Sequence, residues 1–78
     1  MARFYFDIDD GLRLIRDQEG VEFASLGDVS TAAIGVLSPI ASDHLPDGRQ
    51  RVYVVKVRDD TDRYIFVATL SLVSERLD

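Results

Sequence analysis

Residues 3 to 9, Arg3-Phe4-Tyr5-Phe6-Asp7-Ile8-Asp9, alternate Phe4, Phe6 and Ile8 with Arg3, Tyr5 and Asp7, the period of two that marks a half-buried strand. Asp10-Gly11 follows, a dipeptide suited to the positive φ angles of a tight hairpin, and Leu12-Arg13-Leu14-Ile15-Arg16 can run back beside the first strand. Asp17-Gln18-Glu19-Gly20 then breaks the chain, and Val21-Glu22-Phe23 reads as a short extension into the core. A second hairpin is predicted from Arg51 to Arg58 and Arg63 to Val73, joined by Asp59-Asp60-Thr61-Asp62. In it Tyr53, Val55 and Val57 share a face, as do Tyr64, Phe66, Ala68, Leu70 and Leu72.

Between the hairpins the period changes. Ser25 with Asp28 three residues on approximates a capping box, so a helix should begin near Leu26. At about 100° per residue, Leu26, Val29, Ala33, Val36, Leu37 and Ile40 fall on one side and form a core stripe. Pro39 interrupts it, since proline lacks an N–H and crowds the carbonyl four residues back, here that of Gly35. Ser38-Pro39 is also a good N-cap and first-turn pair, so both a kink and a restart toward His44 are open. Leu45-Pro46-Asp47-Gly48 is a turn by composition. The expected fold is α+β, a single domain over residues 1–78 in the order ββαββ. One helix, kinked or split at Pro39, packs on one face of a four-stranded, mainly antiparallel sheet. Strand direction allows an all-antiparallel sheet in the spatial order 2-1-3-4, and placing the last strand beside the first is an open alternative.

A core built from 78 residues is small, and chains of this size often lean on disulfides, metals or oligomerisation. There is no cysteine, which removes disulfides and thiolate metal sites and fits a reducing, cytoplasmic compartment. Oligomerisation is the remaining staple. The first residues hold no apolar run of signal-peptide length, and no run approaches the roughly 20 residues that span a bilayer, so no membrane association is expected. A net charge of −5 opposes phosphate-backbone affinity. Arg49, Arg51, Lys56 and Arg58 cluster, but Asp47, Asp59 and Asp60 stand among them, so no nucleic-acid partner is expected.

Chemistry-bearing patterns are sparse. Asp7, Asp9, Asp10 and Gly11 suggest clustered oxygens for calcium, but a loop counted from Asp7 puts Leu12 where glycine is required and Gln18 where the closing acid belongs. They read instead as hairpin-end acids that keep an edge soluble. Asp59, Asp60 and Asp62 read as turn formers making surface ion pairs with Arg58 and Arg63. His44 is the only histidine and has no nucleophile beside it, which favours a packing or helix-capping role. None of the five glycines sits in phosphate-loop spacing. The expectation is a protein that is not an enzyme, with no catalytic, cofactor-binding or metal-binding residues.

Several segments are similar to a family of short uncharacterised bacterial proteins: Arg3-Phe4-Tyr5-Phe6-Asp7 with Asp10-Gly11, Arg16 through Phe23, Pro46-Asp47-Gly48, and Leu70 through Leu77. The similarity covers nearly the whole chain, and its most specific part is the succession Tyr-Phe-Asp, Asp-Gly and Asp-x-Glu-Gly-Val-Glu, read as turn and strand architecture. It implies no activity. The family's helix is rich in alanine, glutamate and arginine, so Gly35 and Pro39 depart from its pattern. A second likeness, up to the C-terminal hairpin, is to antitoxin subunits with a partial RNase-H-like fold. It implies an inhibitor that binds a small RNase toxin.

The function expected first is that of a non-enzymatic interaction or regulatory domain that self-associates as a homodimer. A single helix covers one sheet face, and alternation sends Tyr5, Val52, Val54, Ile65 and Val67 to the other as a candidate interface. Arg3, Asp7, Lys56 and Arg58 would form its rim. The helix back, with Asp28, Thr31, Gly35, Ser38 and Ser42, is expected to face solvent.

Overall fold

The computed structural model describes residues 1–43, 50–73, 75, 77 and 78, with side chains described to Pro39 in the helix and from Arg51 in the strand that follows. His44, Arg49, the Pro46-Asp47-Gly48 turn and the side chains of Ile40 and Ser42 lie outside the described residues.

The chain folds as β1 (Ala2–Asp9), β2 (Leu14–Ile15), β3 (Val21–Phe23), α1 (Leu26–Asp43), β4 (Gln50–Arg58) and β5 (Tyr64–Val73). The fold is α+β, but the sheet has five strands rather than four, and the helix follows the third strand, giving βββαββ instead of ββαββ. The main path of the sheet is β2-β1-β4-β5, one of the two orders that the sequence leaves open, and every pairing is antiparallel.

The extra strand comes from the way β1 is covered on its outer edge. Val21-Glu22-Phe23 pairs with Phe4, Arg3 and Ala2, while the hairpin return is reduced to Leu14 and Ile15 against Asp9 and Ile8. The turn between them is longer than the Asp10-Gly11 pair alone. It occupies residues 10–13, with the Asp10 N–H donating to the Arg13 carbonyl and Gly11 at φ +91°. The Asp10 carboxylate accepts the Leu12 and Arg13 N–H groups, which is why an aspartate at a hairpin end is itself buried.

Helix α1 begins where its cap predicts, with the Asp28 N–H donating to Ser25 Oγ at 3.2 Å. It runs without a break through Pro39, so Ser38-Pro39 does not start a second helix. Val29, Ala33 and Leu37 reach the core with Phe4, Tyr53, Val55 and Val57. Leu26 does not: in the first turn of the helix it stays 65% exposed. Phe23 adds the β3 contribution, its ring lying 6.2 Å from Phe4 and 5.8 Å from Phe6. Phe66, Ala68, Leu70 and Leu72 of β5 pack against the same cluster while only partly buried.

Candidate functional site

Aspartate is disfavoured in mid-strand unless something holds it. Asp7 sits between Phe6 and Ile8, so its side chain goes to the sheet face opposite α1, where Arg58 meets it. Arg58 Nε donates to Asp7 Oδ2 at 3.1 Å and its terminal nitrogen to Oδ1 at 3.3 Å, a two-point contact. The pair was expected on the rim of this face, with Arg58 among surface charges; both residues are instead buried in it. The same guanidinium donates to the Asp17 carbonyl and, at 3.3 Å, to Asp62. It also lies 4.7 Å from the centre of the Tyr5 ring. Arg16 reaches Asp62 at 2.7 Å and closes the cluster from the exposed side.

Tyr64 enters through an irregularity of the β4–β5 ladder. Val57 pairs with Phe66 but Arg58 pairs with Tyr64, so Tyr64 and Ile65 stand against one residue. This β-bulge reverses the parity expected for Tyr64. Instead of joining Phe66 and Leu70 on the core face, it points to the open face and donates its hydroxyl to Asp7 Oδ2 at 2.7 Å.

Asp17 is the second anchor. One carboxylate oxygen accepts the Phe6 N–H at 3.0 Å, and the other accepts the N–H groups of Glu19 and Gly20. The Phe6 N–H lies on the outer edge of β1, in the gap between its pairings with β3 and β2. Asp17 therefore fills in for a missing strand residue. The Asp17 N–H in turn donates to Asp7 Oδ1 at 3.0 Å. Gly20, at φ +72°, passes so close to β1 that a Cβ there would meet the Phe4 carbonyl at 2.9 Å. The Asp-x-Glu-Gly-Val-Glu succession is thus a clasp on β1 followed by β3.

Burial pushes the Asp7 carboxyl up, but hydrogen bonds from Arg58, Tyr64 and the Asp17 N–H, with the Arg58 charge, outweigh it and hold the group below the usual carboxylate range. Asp17 is lowered in the same way, burial opposing and the Phe6, Gly20 and Glu19 N–H donors prevailing. The hydrogen bond to Asp7 raises the Tyr64 phenol, aided by burial and the Asp7 charge. At neutral pH Asp7 is therefore anionic and Tyr64 protonated, each far from the condition for exchanging a proton. Among the described residues no buried side-chain nitrogen or oxygen lacks a hydrogen-bond partner. Nor does any group of three or more His, Asp or Glu side chains stand ready to hold a metal ion.

Tyr5, Val52, Val54, Ile65 and Val67 all lie on this side of the sheet. Val52, Ile65 and Val67 remain 38%, 38% and 57% exposed, whereas Val54 and Tyr5 are half-buried. Lys56, opposite Val67 in the ladder, has its ammonium 5.6 Å from the Tyr64 ring centre. A depression of about 240 Å³ lies beside Tyr64, between Asp9, Leu14 and Val54. Sequence reasoning missed the Asp7–Arg58–Tyr64 cluster; the available signal was an aspartate in the middle of an otherwise apolar strand.

Among the described residues no helix is long and apolar enough to cross a membrane. No curated protein and no solved structure matches the chain significantly. Residues 3–71, which contain the clasp, match the model of a domain of unknown function, DUF6894, and the chain belongs to that family.

Proposed function

We propose that this chain is a small non-enzymatic interaction domain of the cytoplasm that self-associates through its open sheet face. The observation that supports this reading is the uneven cover of the sheet. Helix α1 shields one face, and on the other Val52, Ile65 and Val67 stay exposed on strands that are otherwise well paired. The Asp7–Arg58 pair lies within that face but is internally neutral, so burying the face does not strand a net charge there. Lys56 and Asp9 are of opposite sign on the same face, and a two-fold contact can set each against the other's copy.

Light scattering at tens of micromolar tests the reading. Wild-type protein is expected above monomer mass, and the double variant Val54→Glu with Ile65→Lys is expected to fall by half while keeping its circular dichroism. A monomeric wild type, or a folded double variant of unchanged mass, would show the sheet-face contact to be wrong.

A further inference from the structure

The two edges of the sheet are treated differently. On the β1 side, β3 and β2 pair with both ends of the strand and the Asp17 carboxylate takes the N–H between them. Among the described residues β5 has a neighbour on one side only. Its ten residues, Tyr64–Val73, contain no charge or proline, and past the bulge at Tyr64 and Ile65 the ladder is regular, so from Phe66 to Val73 the usual devices by which an edge strand repels another are absent.

The direction of its free backbone groups follows from the ladder. The Phe6 N–H points away from β4, toward Asp17, so Phe6 and its partner Val57 are a non-hydrogen-bonded pair, and Val57 turns its own N–H and C=O to β5. Phe66, Ala68 and Leu70 are then bonded to β4, and Val67, Thr69 and Ser71 direct their N–H and C=O outward. The row of apolar side chains behind that edge is unfinished. Tyr53, Val55 and Val57 on β4 are fully buried, while Phe66, Ala68, Leu70 and Leu72 on β5 are only partly so.

We propose that β5 pairs antiparallel with β5 of a second copy, about a two-fold axis at Thr69. A second copy fits this edge because the strand is self-complementary in that register. Thr69 meets Thr69, Val67 meets Ser71, and no like charges face one another. The same pairing sets one half-covered row of Phe66, Ala68, Leu70 and Leu72 beside its copy and brings a second helix to the shared core. The axis runs along the sheet normal, whereas the face contact proposed above has its axis in the plane of the sheet, so the two combine into a four-chain assembly.

The experiment separates the two contacts. Proline at an outward-facing edge position leaves the inner ladder intact, so Thr69→Pro is expected to keep its fold and lose half the wild-type mass by light scattering. The chain has no cysteine, so Thr69→Cys placed in the Val54→Glu, Ile65→Lys background probes the edge alone. Across the axis the Thr69 Cα atoms would be about 5.5 Å apart, within disulfide range, and oxidation is expected to yield a cross-linked dimer. Val67→Cys in the same background is expected to stay uncrosslinked, its copies being four residues out of register. Thr69→Pro at wild-type mass, an unfolded Thr69→Pro, or equal cross-linking at positions 67 and 69 would each overturn the edge pairing. Loss of mass in Thr69→Pro, with none in the face variant, would retain it and remove the sheet-face contact.

Discussion

Arg58 binds Asp7 along a diagonal of the β1–β4 ladder: the residue directly opposite Asp7 is Lys56, and the residue directly opposite Arg58 is Tyr5. The diagonal leaves Tyr5 free to lie under the guanidinium and leaves Asp7 with Tyr64 and the Asp17 N–H as further donors. Removing one member strands the others. Asp7→Ala is expected to cost about 3 kcal/mol, the scale for breaking a buried ion pair, measured by urea unfolding. Asp7→Leu with Arg58→Met is expected to recover part of that loss, since neither charge is then left alone.

Acid should unfold the protein through the same groups. Asp7 and Asp17 have lowered pKa values in the folded chain. Their contribution is complete above the ordinary carboxylate range and is lost as pH falls through the lowered values. The melting temperature is expected to be level from neutrality to about pH 5 and to drop below about pH 4. Asp7→Asn should lower the plateau and flatten the acid limb. Tyr64 acts at the other end: its raised pKa gives stability that is present below the ordinary phenol range and lost as pH rises through the folded value.

Gly20→Ala is expected to destabilise by roughly 1–3 kcal/mol, the cost of holding an alanine at a disfavoured φ. The added methyl would also meet Tyr5 at 2.8 Å and the Phe4 carbonyl oxygen at 2.9 Å. Chemical denaturation gives the number, and loss of the ring-current shifts at Tyr5 in an NMR spectrum would locate the damage.

Gly35→Ala should do the reverse. The position is exposed within α1 and a Cβ there meets nothing within 4 Å, so helix propensity decides the outcome, with a gain of up to about 1 kcal/mol. A thermal melt of the two proteins side by side is sufficient.

The two candidate caps should separate cleanly. Ser25→Ala is expected to lose about 1 kcal/mol because Ser25 Oγ accepts the Asp28 N–H. Ser38→Ala should be close to neutral, since the helix continues through Pro39 and position 38 is no helix start.

What was legible in the residues was what repeats. The period of two in Phe4-Phe6-Ile8 and in Tyr53-Val55-Val57, and the spacing of Val29, Ala33 and Leu37, were enough to place the core faces of the two hairpins and of the helix, while the order of the strands stayed open between two arrangements. Three features were not legible, for separate reasons. Tyr64 changes sides because one extra residue in β5 shifts the parity, and composition does not mark a bulge. Leu26 satisfies the helical spacing but stays exposed, because spacing alone does not say how far along the helix the sheet gives cover. Asp7 and Arg58 lie 51 positions apart, so one read as an acid keeping an edge soluble and the other as a surface ion-pair partner until the ladder brought them together.

The middle of the sheet is made by the pairing whose two strands are farthest apart in the chain. Tyr5 and Arg58 face each other across β1 and β4, and the short strands β2 and β3, which are local to β1, only decorate its far side. During synthesis β1 leaves the ribosome with its satellites and helix but without the strand it must lie against, and Asp7 waits in water for its guanidinium. Little is gained from the early contacts alone, because closing the long loop comes before the core can form. Folding should therefore begin with the local β4–β5 hairpin and finish in a single late step, when β1 docks on it. An amide-exchange experiment on refolding protein would show Val55 and Val57 protected before Tyr5 and Asp7, whose N–H groups face β4.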